Sequence, residues 1–306
     1  MSATTPSPQE TQPLTITTIS TTLGLQALLN TILSLPTSPP SLYVDLEGHS
    51  LGRNGSIALL TLYIFPTATC HLIDIHILGA AAFTTTCTLP APTSTSLKTI
   101  LESPAIPKVF FDVRNDADAL FSLYGISLSG ICDVQVMEYA SRHIPGRFVS
   151  GLANCIARDL APRTPVSTPV GQLVAEHQVL KALVPRLFDP ALGGSYDVFT
   201  VRPLAGEILR YSALDAVLLV HLYRVYDEKL QGGQKGFWRW KVKSVAEGRV
   251  REAMGVGYDG ESRDKAWGPW VWGDREVEEE KERWERDLKE CMMLGVEVKD
   301  GEWPAT

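Results

Sequence analysis

LYVDLEGHSL, residues 42–51, opens as a buried strand and closes in acid. Apolar residues lead to Asp45 and Glu47, and Gly48 then breaks the run. On a strand, residues i and i+2 point to the same side of the sheet. The two carboxylates are therefore neighbours. Like charges that close are costly unless one is protonated or a cation sits between them. This stretch alone leaves two readings open: a solvated strand end before a turn, or part of a metal site.

Three strand-like runs follow one another at 42–47, 57–65 and 70–77, and the first connection, LGRNGS, is turn-like. They read as an antiparallel meander, with Asn54-Gly55-Ser56 as a turn. Upstream, LTITTIST reads as a short strand and LGLQALLNTILSL as a helix. Leu25, Leu28, Leu29, Ile32 and Leu33 fall at helical spacing, and PTSPPS stops the helix. Downstream, TSTSLKTILES predicts a helix, VFFDV a strand, NDADALFSLYG a helix capped by its opening Asn-Asp, and ICDVQV a strand. Helical patterns then dominate to about residue 230. This order predicts an α/β domain with a mixed sheet.

Two further acid clusters stand out. In ILRYSALDAVLLVHLYRVY, residues 208–226, Tyr211 and Asp215 are four apart and share a helix face. Leu214, Val217, Leu218 and Leu222 form the apolar stripe. KVFFDVRNDADALFSLYG, residues 108–125, places Asp112, Asp116 and Asp118 at a strand-to-helix transition, where α/β sheets commonly carry their sites. Taken singly, each cluster is equally an ordinary surface pair or an acidic cap.

In this order the three stretches resemble the DEDD superfamily of 3′→5′ exonucleases, in its RNase D-like branch with tyrosine in the last motif. VDLEG looks like the first motif and KVFFDVRNDADALFSLYG the second, while RPLAGEILRYSALDAVLL looks like the third with its RPL lead-in. CDVQVMEYA resembles the D-T-Q stretch after the second motif, with Val134 in place of threonine. The sister branch carries histidine where this chain has Arg210. The likeness covers about residues 42–228. It implies an RNase H-like fold: a mixed sheet of about five strands, the first three antiparallel, flanked by helices. It also implies a metal site built from Asp45, Glu47, Asp116 and Asp215, with Tyr211 orienting water and phosphate. Asp116 follows from the ungapped register, with Asp112 and Asp118 as alternatives. The implied reaction is hydrolysis of the terminal phosphodiester of nucleic acid, RNA favoured over DNA, with two Mg²⁺ or Mn²⁺ ions and release of nucleoside 5′-monophosphates. Oxygen-only ligands agree with those metals.

Composition sets the remaining bounds. The 306 residues are 44% hydrophobic and 21% charged, as in soluble globular proteins, and no apolar run is long enough to span a membrane. The polar opening, residues 1–13, predicts disorder, and without basic residues before Arg53 neither a secretory nor a mitochondrial leader is expected. Five scattered cysteines without C-x-x-C spacing suit a reducing, intracellular compartment, cytoplasmic or nuclear. The exonuclease domain is placed at 14–230. After GGQKG a mainly helical C-terminal extension, 235–306, turns basic and aromatic and then acidic. Within KGFWRWKVKSVAEGRVR, Arg239, Lys241 and Lys243 are candidate phosphate contacts beside stacking rings. The rival reading has the tryptophans packed inward and the cations facing water. Single-stranded or 3′-ended nucleic acid is the expected partner, with no membrane. A non-catalytic adaptor on the same fold and an RNase H-like endonuclease are the competing functions. The filled acid set argues against the first, and the Y-x-x-x-D helix against the second.

Overall fold

A computed structural model describes residues 14–89, 94–144, 146–231, 236–299 and 301–304. The expected disorder at 1–13 and most of the GGQKG boundary lie outside these residues. One six-stranded sheet forms the centre, with strands β1 (Thr15–Ile19), β2 (Leu42–Glu47), β3 (Leu59–Ile64), β4 (Thr69–Asp74), β5 (Lys108–Phe110) and β6 (Ile131–Asp133). Its order is β1-β4-β3-β2-β5-β6. The predicted meander is β2–β3–β4, antiparallel throughout. The TITTI strand joins as a sixth, pairing in parallel with β4. β5 and β6 continue in parallel from β2 on the other side. The sheet is thus mixed, with one more strand than expected.

Helices cover both faces. α1 (Thr22–Ile32) buries Leu25, Leu28, Leu29 and Ile32, the expected stripe. α2 (Leu97–Glu102) starts at Ser96, whose side chain closes a capping box with Thr99. These helices and the inward side of α3 (Arg114–Tyr124) share a core with Leu42, Val44 and Leu46 of β2. The opposite core holds Tyr43 together with α4 (Val134–Ala140), α5 (Pro169–Leu183) and α6 (Gly206–Lys229). Leu214, Val217, Leu218 and Leu222 of α6 are buried there, as the apolar stripe predicts.

Several strands end earlier than their apolar runs, because an aspartate turns the chain. Asp74 accepts from Ile77 N at 3.1 Å and caps a short helix, so β4 stops before the HIL of CHLIDIHI. Asp133 accepts from Gln135 N at 3.0 Å, which makes the second half of ICDVQV helical. Asp112 sits at φ 55°, in the left-handed region that aspartate enters more readily than most residues, and there β5 bends into α3. The predicted Asn-Asp cap is absent: α3 begins at Arg114, and Val113 provides no side-chain cap. Asp116 instead occupies the first turn, where a carboxylate meets the positive end of the helix dipole.

The C-terminal part packs on this body. α7 (Gly236–Met254) lies against α3, α4 and β6, and Ala246, Val250 and Ala253 enter the α1-side core. Phe237 is buried and meets Trp238, Trp240 and Trp284 of α8 (Arg275–Leu294). The strap between α7 and α8 contains ESRDKAWGPW. Its Trp270 packs edge-on to Tyr139 at 5.0 Å and stacks with Trp238 at 5.5 Å.

Gly48 ends β2 where no side chain fits, since a Cβ there would lie 1.9 Å from Ser56 O. Gly48→Ala should destabilise the protein by about 1–3 kcal/mol and displace Glu47. Chemical denaturation, with cation binding read in parallel, checks both effects; unchanged stability would contradict this packing.

Candidate active site

The site lies between the end of β2 and α6. Tyr43, Asp45 and Glu47 alternate with residues of the α1-side core, so they face α6. One turn of α6 brings Tyr211, Ser212 and Asp215 onto that face. One oxygen each from Asp45, Glu47 and Asp215 lies within 4.8 Å of the others. Ser212 Oγ donates to Glu47 Oε1 at 3.4 Å, joining helix to strand. Arg202 of the RPL lead-in holds the approach to α6, donating to Asp74 Oδ1 at 2.7 Å and to Phe199 O at 2.9 Å.

Crowding sets the electrostatics. Burial, then Asp215, push the Asp45 carboxyl up to about 8, against the pull of Lys181. Burial, then Asp45 and Asp215, raise Glu47 well above the usual carboxylate range. Burial also works against ionised Asp215, yet Lys181 and the His177 hydrogen bond outweigh it, and this carboxyl lies below its ordinary value. His177 Nε2 is 2.8 Å from Asp215 Oδ1, and Lys181 Nζ donates to Asp215 Oδ2 at 3.2 Å. The same ammonium donates to Tyr211 Oη at 2.6 Å. Burial, reinforced by Asp215, Glu47 and Asp45, raises the Tyr211 phenol, which keeps its proton at neutral pH.

The three second-motif acids have different surroundings. Asp112 pairs with Arg114 at 2.6 Å and faces Arg249 at 3.7 Å. Asp118 pairs with Arg53 at 2.8 Å and accepts from Arg53 N at 2.7 Å. Asp116 is buried and has no ion pair among the described residues. Burial, then Asp45 and Asp112, raise its carboxyl well above the usual range. It lies outside the close trio, on the Asp45 side. Asp133, in the stretch likened to D-T-Q, holds this corner. It accepts from Asp112 N at 3.0 Å and Val113 N at 3.3 Å, and pairs with Arg249 at 2.7 Å.

These groups fit a divalent cation. The donors are all carboxylate oxygens, and Asp45 and Glu47 have no ion pair among the described residues. The buried Thr61 Oγ1, on the residue paired with Asp45 across β2–β3, also lacks a partner among them. A cation held by Asp45, Glu47 and Asp215 would relieve the repulsion that raises two of the carboxyls.

His177, Lys181, Asp133, Arg249 and Arg53 escaped the sequence reading in these roles. His177 and Lys181 stand four apart on a helix, but nothing nearby in sequence marks them as facing Asp215. For the extension, the inward-packing alternative describes the rings: Phe237 is buried, and Trp238 and Trp240 are half-buried among other tryptophans. Arg239 pairs with Asp227 and Lys241 with Glu280, whereas Lys243 is exposed.

Removing a charge from the trio should stabilise the cation-free protein. Asp45→Asn is expected to raise Tm in EDTA and to abolish the rise that Mg²⁺ or Mn²⁺ gives the parent. That rise corresponds to about 2.7 kcal/mol at a hundredfold excess over Kd. Thermal shift with and without cation checks this, and an equal cation response in both proteins would contradict it.

A family model described as 3′-5′ exonuclease matches residues 16–231. The human piRNA biogenesis protein EXD1 is 26% identical over 182 residues, 59% of this chain and 31% of that protein. The chain thus spans about a third of that relative's length. Trypanosoma brucei RNase D in its GMP complex superimposes with TM-score 0.59 at 18% identity, over 88% of this chain and 71% of that one. The same enzyme with RNA U12 gives 0.57 at 19% identity, over 87% and 79%. No helix among the described residues is long and apolar enough to cross a membrane.

Proposed function

Because the chain belongs to the 3′-5′ exonuclease family and carries the RNase D type of fold, we propose that it is an active, metal-dependent exonuclease. It removes nucleotides from the 3′ end of single-stranded RNA and releases nucleoside 5′-monophosphates. The supporting observation is the convergence of Asp45, Glu47 and Asp215 beside a protonated Tyr211. RNA is favoured over DNA through the RNase D resemblance, and T. brucei RNase D has been captured with RNA.

In this reading Asp45, Glu47 and Asp215 would hold one Mg²⁺ or Mn²⁺, and Asp116 with Asp45 would help to hold a second. Bound divalent cations supply positive charge to the scissile phosphate and to the attacking and leaving oxygens. Tyr211 Oη, fixed by Lys181 Nζ, keeps its proton and donates it in a hydrogen bond that orients water and phosphate. A phenol raised this far is no general base. Ser212 holds Glu47 in place from α6. Exposed Lys243 is a peripheral phosphate contact; Arg239 and Lys241 would have to exchange an acidic partner for phosphate.

One observation favours a second reading, a binding module with little catalysis. Both Asp215 oxygens already have partners, one of them the ammonium of Lys181, and that charge competes with a cation.

Incubation with 3′-hydroxyl and 3′-blocked RNA and DNA, in Mg²⁺, Mn²⁺ or EDTA, separates the readings. Stepwise shortening of the 3′-hydroxyl RNA alone, abolished by EDTA, is expected. Asp45→Ala or Asp215→Ala should lower the rate by more than about 100-fold, and Tyr211→Phe by roughly 10- to 100-fold. Intact RNA under every condition would leave the binding-module reading.

A further inference from the structure

Phe148 and Trp267 are 54% and 49% exposed, among the most accessible large rings of the described surface. They lie side by side, with ring centroids 4.7 Å apart and planes at 39°. They come from segments far apart in the chain, joined by an antiparallel bridge between these same two residues. Val149 N donates to Ala266 O at 2.9 Å, and Gly268 N donates to Arg147 O at 2.7 Å. The ridge is therefore fixed by backbone on both sides. Paired rings held rigid in water mark a surface that binds something.

The ridge separates two cavities. One, of about 550 Å³, is lined by Phe148, Arg142, His143, Arg158 and Lys229. The other, of about 700 Å³, is lined by Arg147, Trp267, Trp270 and Trp272. The ion pairs of the first cavity cancel charge on both sides: Glu138 pairs with Arg142 and Arg158, and Asp159 with Arg158 and Lys229, so that two acids stand against three cations. Arg147 is exposed on the ridge itself. In a chain of net charge −7, flat rings beside exposed Arg147 and a cluster with cations in excess of acids suit an anionic polymer with flat bases.

The same strap reaches the second-motif helix. Lys265 Nζ bonds to Asn115, the neighbour of Asp116, and Arg114 donates to Lys265 O at 2.9 Å. We infer that the Phe148–Trp267 ridge, with Arg147, is a stacking platform for single-stranded nucleic acid, placed one strap segment from the carboxylate site. It rests on the nuclease reading for the direction in which the strand runs.

Fluorescence anisotropy of the full chain in EDTA tests it, with labelled single-stranded RNA from dinucleotide to decanucleotide. Affinity should rise with length in the parent. In the Phe148→Ala/Trp267→Ala double variant the decanucleotide should bind about tenfold or more weakly, so that the gain with length disappears. Phe148→Leu/Trp267→Leu, which keeps apolar bulk, should lose the same affinity while retaining the parent Tm. Arg147→Glu should flatten the salt dependence. Decanucleotide affinity within about twofold of the parent in both double variants would overturn the platform. Cleavage in Mg²⁺ is scored separately. A protein that binds through the ridge but does not cleave keeps the platform and loses the nuclease reading. One that cleaves while its ridge variants bind like the parent keeps the nuclease reading and loses the platform.

Discussion

The mutual repulsion of carboxylates pressed together between β2 and α6 is the constraint on which this structure turns. Asp45 and Glu47 cannot move apart, because β2 is paired with β3 opposite both residues, while its first two residues are also paired with β5. Asp215 cannot retreat, because α6 is buried along most of its length. Raised carboxyls at Asp45 and Glu47 are the signature of that confinement. Such strain persists only where the surrounding packing is firm, and here the central strand and the longest helix provide it. The same confinement gathers one oxygen each of Asp45, Glu47 and Asp215 within 4.8 Å, while both Asp215 oxygens are held by His177 and Lys181.

Countercharges are distributed unevenly, and that distribution differentiates the acids. Asp112 and Asp118 are tied to arginines and serve the architecture of the β5–α3 corner. Asp116, between them in sequence, faces Asp45 without such a partner among the described residues. Buried Asp133 fastens the corner by accepting two backbone N–H groups and the Arg249 guanidinium. At the other pole, Lys181 and His177 hold the Asp215 carboxyl below its ordinary value, and Lys181 also donates to the Tyr211 hydroxyl. A single helix, α5, thereby controls both the charge of Asp215 and the orientation of the phenol.

Residues beyond the matched family region also bear on the site. Arg249 of α7 reaches Asp133, and Arg53 donates to carbonyls at Ala253, Gly255 and Val256 while pairing with Asp118. The C-terminal part thus braces the second-motif helix from behind. ESRDKAWGPW, without meaning as a pattern, becomes intelligible as the strap whose Trp270 packs on Tyr139, whose Trp267 pairs with Phe148 and whose lysine meets Asn115.

Local chemistry alone determined a good deal. Alternation placed Asp45 and Glu47 on one face, helical spacing paired Tyr211 with Asp215, and the turn at Asn54-Gly55-Ser56 set up the meander. Each follows from the period of its own element, which the chain carries within a few residues. Tertiary structure decided what depends on distance in space. It set the TITTI strand in parallel beside β4 and tied Asp118 to Arg53 and Asp112 to Arg249, with no ion pair at Asp116 among the described residues. It also brought Lys181 and His177 to Asp215 across more than thirty residues of chain. No periodicity encodes which cation meets which acid, because that choice is made by the packing of elements whose order in sequence says nothing of their spacing in the fold.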